Sequence, residues 1–191
     1  NAFQCLTFMH GSQQALHQDG AYVVVSEPLQ FLASWIALED VTPGSGELMY
    51  SSGSHKLDDY LFGDDKTKFW KPVQHGQPAH MQFLASIDAR SKSMGMPLET
   101  FLPKKGDALI WASDLVHGGA PITNGNTRRS IVTHYCPVEV MPNFTNFTDF
   151  FHLREVADNG FISSRHYDLR ENERRFERNG PQLKPVFMGA K

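Results

Sequence analysis

The sequence predicts a mainly β fold, with two antiparallel sheets packed face to face, on three observations. Short apolar or β-branched runs recur along the chain. Gly- and Ser-rich turns separate them. Little between them carries a helical period. Chains of this kind close as a sandwich or barrel, and a jelly roll suits the pattern.

In chain order, Phe3-Gln4-Cys5-Leu6-Thr7-Phe8 alternates roughly with period two, as a half-buried strand does. Ala21 to Val25 and Leu32 to Leu38 are further strand candidates, with turns at Gly44-Ser45-Gly46 and Ser51-Ser52-Gly53. Residues 56 to 104 mix charge, Pro and Gly with weak periodicity. They are expected to be a partly helical excursion, a common origin of lids and binding loops. Regular strands resume at Ala108-Leu109-Ile110-Trp111 and at Ser130-Ile131-Val132-Thr133-His134-Tyr135. Asp168 to Arg178 is charged and reads as a solvated helix. No internal repeat or low-complexity tract is present.

A chain of 191 residues, 40% hydrophobic and 20% charged, suits one domain with a sizeable core. The expected division is a core at 1–138 containing the insertion 56–104, then a C-terminal extension at 139–191. Net charge is -3, from 18 Lys+Arg against 21 Asp+Glu. That balance gives no reason to expect nucleic acid or an anionic membrane as partner. No apolar run approaches a membrane span and no signal peptide is visible, so a cytoplasmic location is expected. Cys5 and Cys136 fit neither a disulfide framework nor a zinc pattern, and are expected to be reduced core thiols. The glycosylation patterns at Asn143 and Asn146 are read as chance. The chain starts at Asn1, in mid-pattern and without Met, which leaves open whether an N-terminal part precedes it.

The strongest chemical signal is His17-Gln18-Asp19. Residues i and i+2 of a strand share a face, which sets an imidazole beside a carboxylate as a first-row metal requires. Alone, this reads as a turn histidine with a capping Asp. His117, in Leu115-Val116-His117-Gly118-Gly119, is a third ligand candidate. Alone, it reads as a loop histidine. Two His and one carboxylate leave coordination positions open, whereas zinc sites more often carry three His or Cys. In Thr127-Arg128-Arg129-Ser130-Ile131-Val132, a strand sends adjacent arginines to opposite faces. The inward one then needs an anion.

Together these residues resemble the phytanoyl-CoA dioxygenase family of iron(II)/2-oxoglutarate oxygenases. The likeness runs from Phe8 to Tyr135. It starts with Gly11-Ser12-Gln13, His17-Gln18-Asp19 and Trp35-Ile36-Ala37-Leu38-Glu39-Asp40-Val41. It continues through Gly46-Glu47-Leu48 and Gly53-Ser54-His55-Lys56, and closes with Gly106-Asp107, His117-Gly118-Gly119 and Arg128-Arg129-Ser130-Ile131. The resemblance implies a double-stranded β-helix, the jelly roll of cupin-like proteins, with flanking helices and a long lid insertion. It places metal ligands on His17, Asp19 and His117, the 2-oxoglutarate arginine on Arg128, and a Trp of the cosubstrate pocket on Trp35. Several relatives carry a hydroxyl residue where this chain has Gly119, so Ser130 is the candidate replacement. Relatives also carry an N-terminal helical part. Related halogenases lack the carboxylate that Asp19 supplies here.

The implied activity is hydroxylation of a small organic molecule with Fe(II), 2-oxoglutarate and O2, releasing succinate and CO2. Residues 56 to 104 and Phe144 to Phe151 are the expected lids. One alternative is a cupin-like hydrolase or isomerase that does not use 2-oxoglutarate, against which Arg128 stands. The other is an inactive jelly-roll binding protein, against which the intact ligand set stands. His55 is expected to order its loop, Trp111 and Phe83 to belong to the core, and His134 to lie behind the ligands or in the core. His10, His75, His80, His152 and His166 are assigned no role.

Overall fold

The computed structural model describes residues 2–25, 30–137 and 140, with short strands at 142–144, 155–156 and 162–163. The strands are β1 (Ala2–Phe8), β2 (Gln14–His17), β3 (Val23–Val25), β4 (Leu32–Ala37) and β5 (Leu48–Ser51). Helix α1 (Pro72–Ser93) follows, then β6 (Leu98–Phe101), β7 (Ala108–Ala112), β8 (His117–Gly119) and β9 (Ser130–Tyr135). Three short strands come last, β10 (Pro142–Phe144), β11 (Glu155–Val156) and β12 (Ile162–Ser163).

Two four-stranded antiparallel sheets form the body, in the orders β1-β9-β4-β7 and β2-β8-β5-β6. The chain alternates between them, as a jelly roll does. Their inner faces meet in one core. Ala33, Trp35, Ala37 and Trp111 come from the first sheet and Leu48 from the second, with Val41 and Leu115 beside them. Burying such side chains is the main stabilising contribution, about 1.5–3 kcal/mol for each large one.

A second cluster fastens the excursion to the body. Helix α1 buries Phe83, Ile87 and Ser91, spaced by four, so one stripe faces inward. Phe83 and Ile87 pack with Ala21, Leu57, Phe62 and Val116. The helix breaks at Gly76, whose φ of 70° and ψ of 173° suit Gly alone. The Trp70 indole N–H donates to the Gly76 carbonyl at 3.0 Å and pins the break. Pro78 follows in the first turn, where a missing N–H would have had no partner.

Several expectations change. The strand expected from Ala21 starts at Val23, because residues 19–21 form a 3-10 turn. The excursion is shorter than 56 to 104: β6 lies inside that range and pairs with β5. Cys5 is exposed on edge strand β1 and is no core thiol, whereas Cys136 is buried. A single α-helix, α1, is present among the described residues. The Asp168 to Arg178 helix lies outside the described residues, as does most of Phe144 to Phe151. No helix among the described residues is long and apolar enough to cross a membrane.

Candidate metal centre

His17 ends β2 and His117 opens β8, and the two are register partners across these strands. Their rings lie 4.4 Å apart between centroids. The approach depends on the two residues after His117. A Cβ on Gly118 would stand 2.7 Å from the Gln14 carbonyl oxygen, and one on Gly119 would collide with the Ser12 carbonyl. Any side chain there would push β8 from β2 and part the histidines. Each ring is also oriented. His17 Nδ1 lies 2.9 Å from the Ala15 carbonyl and His117 Nδ1 lies 2.9 Å from the Leu115 carbonyl. A carbonyl only accepts, so Nδ1 carries the hydrogen and Nε2 presents a lone pair to the centre.

Asp19 completes the group by a different route from the one its sequence spacing suggests. Strand β2 stops at His17, and Asp19 starts the 3-10 turn Asp19–Ala21. The turn, not the pleat, brings the carboxylate round. Asp19 Oδ1 lies 3.7 Å from His17 Nε2 and 3.6 Å from His117 Nε2. One ligand atom from each of the three residues falls within 4.8 Å of the others, and Asp19 and His117 are buried. The other oxygen is held from behind. The Trp111 indole N–H donates to Asp19 Oδ2 at 3.1 Å, and His134 Nε2 lies 3.5 Å from it. Burial opposes ionisation of Asp19, but His117, His134 and His17 outweigh it and hold its carboxyl well below the usual range. Burial lowers His117 to about 4 against the pull of Asp19, so it is neutral at pH 7, as a ligand must be. His17 is affected by burial too, yet its contact with Asp19 prevails and raises it.

Arg128 precedes β9 rather than lying in it. Its alternation with Arg129 still holds. Arg128 is 2% exposed, together with Ser130 at 0% and His134 at 5%. Arg129 faces solvent and clasps Glu39, donating to both carboxylate oxygens through its backbone N–H at 2.7 Å and Nε at 2.8 Å. The Arg128 guanidinium donates from Nη1 to the Gly46 carbonyl and sits 5.6 Å from the ring centroids of Trp35 and Phe8. Burial lowers it to about 10, with Glu47 opposing, so it stays charged at pH 7. Arg128 Nε and Ser130 Oγ are buried without a hydrogen-bond partner among the described residues. Ser12 Oγ lies 3.5 Å from Arg128 Nη2. The Ser12 backbone also occupies the space a side chain at 119 would need, which accounts for Gly119.

Sequence reasoning missed the wall beside His17. Tyr22 stands edge-on to His17 at 5.7 Å between ring centroids, and its hydroxyl lies 2.7 Å from His80 Nε2. His80, on α1, stacks on Trp70 at 4.4 Å. No local pattern couples Tyr22 to His80; only the excursion's return to the body does. His55 is exposed, and its neighbour Ser54 accepts from the Val116 N–H at 2.8 Å, next to His117. The loop-ordering role expected of that motif therefore falls on Ser54. Trp111 and Phe83 are buried as expected, although Trp111 also reaches Asp19.

Residues 5–130 match the family profile described as phytanoyl-CoA dioxygenase (PhyH). The chain belongs to the phytanoyl-CoA dioxygenase family. Members use iron(II), 2-oxoglutarate and O2. A comparison with curated proteins finds no match. Among solved structures, the chain is similar to the non-haem α-ketoglutarate-dependent carbocyclase SnoK from nogalamycin biosynthesis, at 20% identity and a TM-score of 0.55, covering 71% of this chain and 49% of that one. It is also similar to the epimerase SnoN in complex with Fe3+, α-ketoglutarate and nogalamycin RO, at 20% identity and a TM-score of 0.52, covering 87% of this chain and 62% of that one. These likenesses show a shared fold. The chain spans about half the length of SnoK and somewhat more of SnoN.

Proposed function

We propose that this chain is an iron(II)/2-oxoglutarate oxygenase that hydroxylates a small organic molecule, with His17, Asp19 and His117 as metal ligands. The convergence of those three side chains carries the reading. Two imidazole nitrogens and one carboxylate oxygen are the donor set of non-haem iron(II) oxygenases. The cosubstrate fits a second observation. Arg128 is a buried cation whose Nε has no hydrogen-bond partner among the described residues, and the buried Ser130 hydroxyl lacks one too; a carboxylate would match the first and could engage the second.

Iron(II) with 2-oxoglutarate and O2 supplies the oxidising equivalent for hydroxylation, with release of succinate and CO2. The protein's own residues set the conditions. The Ala15 and Leu115 carbonyls orient the imidazoles. Arg128, stacked on Trp35, would hold a carboxylate of 2-oxoglutarate, with Ser130 as a second donor. Trp111, buried and packed on His117, keeps water from the centre. Tyr22 of the body, with Trp70 and His80 of the excursion, forms a wall beside His17, and we assign substrate contact to that wall.

The test is succinate release from 2-oxoglutarate with iron(II) and ascorbate, for the unaltered chain and for His117→Ala. The reading expects release from the first alone. Equal release from both, or none from the metal-loaded unaltered protein, would sink it.

A further inference from the structure

We infer that Trp111 and His134 are a positioning pair that limits Asp19 to one metal-binding oxygen, an inference that rests on the metal reading above. Asp19 Oδ1 faces the Nε2 atoms of His17 and His117, at 3.7 and 3.6 Å. Its Oδ2 faces away, toward the Trp111 N–H at 3.1 Å and His134 Nε2 at 3.5 Å. The two holders come from one sheet and approach from the side opposite the ligands. Trp111 lies on β7 and His134 on β9, with β4 between them, and Ala33 is the register partner of both.

Both holders are fixed. Trp111 is 5% exposed and His134 is 5% exposed. The Trp111 ring leans on His117, 4.9 Å between centroids, so one residue braces two ligands. Asp19 Oδ2 only accepts, so the His134 hydrogen sits on Nε2; Nδ1, 2.6 Å from the Gln4 side-chain amide, accepts from that amide's NH2 group, and Phe31 meets the ring edge-on at 5.5 Å. The carboxylate therefore cannot rotate without breaking two contacts in a dry setting.

The consequence is a coordination count. Held this way, Asp19 would offer a bound metal one oxygen and, with His17 and His117, three ligand atoms in all; a freed Oδ2 would let the carboxylate take a further position and leave fewer for other reactants. The pair thus acts through Asp19 on what the metal can admit, without touching any reactant.

The test uses Co(II) alone as probe, so it does not depend on knowing the substrate. Trp111→Phe keeps most of the ring and removes the N–H. His134→Leu removes the ring nitrogens, and His134→Gln returns a donor. Outer partners of metal ligands typically contribute 10- to 100-fold in affinity. We expect Trp111→Phe and His134→Leu to weaken Co(II) binding by roughly that factor and to change the visible d–d band. His134→Gln should recover most of both. Thermal midpoints of the metal-free variants report whether the fold is kept. Unaltered Co(II) affinity and spectrum in both Trp111→Phe and His134→Leu would overturn the inference, as would affinity loss with an unaltered spectrum and no recovery by Gln. The metal reading is judged separately by His17→Ala. If that variant still binds Co(II) as the unaltered chain does, the ligand assignment fails first.

Discussion

Arg128 and Arg129 are neighbours in sequence and opposites in setting. The outer one has Glu39, and the inner one has a carbonyl, two aromatic faces and an unmatched N–H. Losing a buried charge partner costs about 2–5 kcal/mol in binding. Arg128→Ala should therefore raise the 2-oxoglutarate requirement by roughly 30-fold to several thousand-fold, and Arg129→Ala should leave it nearly unchanged. Cosubstrate titration against succinate formation for both variants checks this, and a crippled Arg129→Ala would reverse the assignment. This inside–outside split was legible, because strand alternation reaches back to residues just before β9. The route of Asp19 was not. A pleat and a 3-10 turn can both bring residues i and i+2 together, and the spacing does not tell them apart. Gly119 shows the same limit. Its reason is the Ser12 backbone, more than a hundred positions away. Restoring the hydroxyl that several relatives carry, by Gly119→Ser, should destabilise the chain by about 1–3 kcal/mol through overpacking. Thermal unfolding measures it, and an undiminished midpoint would show that β2 and β8 can part without cost.

At the scale of elements, the excursion was recognisable by composition but not by shape. Helix α1 buries only Phe83, Ile87 and Ser91, while Val73 and Met81 are exposed, so its apolar stripe is narrow and blurred. Strand β6 was hidden because Leu98, Glu99 and Thr100 are all exposed, leaving no alternation to read. The excursion is tied down twice. Phe83 anchors the apolar cluster. Lys68 Nζ bridges Asp59 at 2.8 Å and Asp114 at 3.0 Å, joining the excursion to the loop before His117. Truncating Phe83 to Ala should cost about 3–5 kcal/mol. Because Tyr22 and His80 touch the same ring, the Tyr22–His80 contact should loosen with it. Denaturant unfolding gives the first quantity. A loss below 1 kcal/mol would mean that the helix does not dock through Phe83.

For the whole molecule, acid should act through exposed pairs. The Arg129 guanidinium and backbone N–H hold Glu39 at about 2, against an ordinary 4.5. The Lys71 ammonium, with His75, holds Asp65 at about 2, against 3.8. Both shifts are downward, so the folded chain keeps these groups ionised where the unfolded chain would protonate them. Their contribution is complete above about pH 4.5 and disappears as pH falls through about 2. Glu39→Gln should lower the thermal midpoint at neutral pH and flatten its decline across that window. An equally steep decline in the variant would remove Glu39 from the acid response.

The pairing of His17 with His117 also sets an order of events during synthesis. The first two ligands leave the ribosome about 100 residues before the third, which at about 5–20 residues per second is roughly 5–20 s. Gln4 waits longer still, for its partner His134 on β9. Contacts so distant along the chain make for slow folding. Through that interval Asp19 has neither His117 beside it nor Trp111 and His134 behind it, so the geometry of the site is completed only when β8 and β9 take their places in the two sheets.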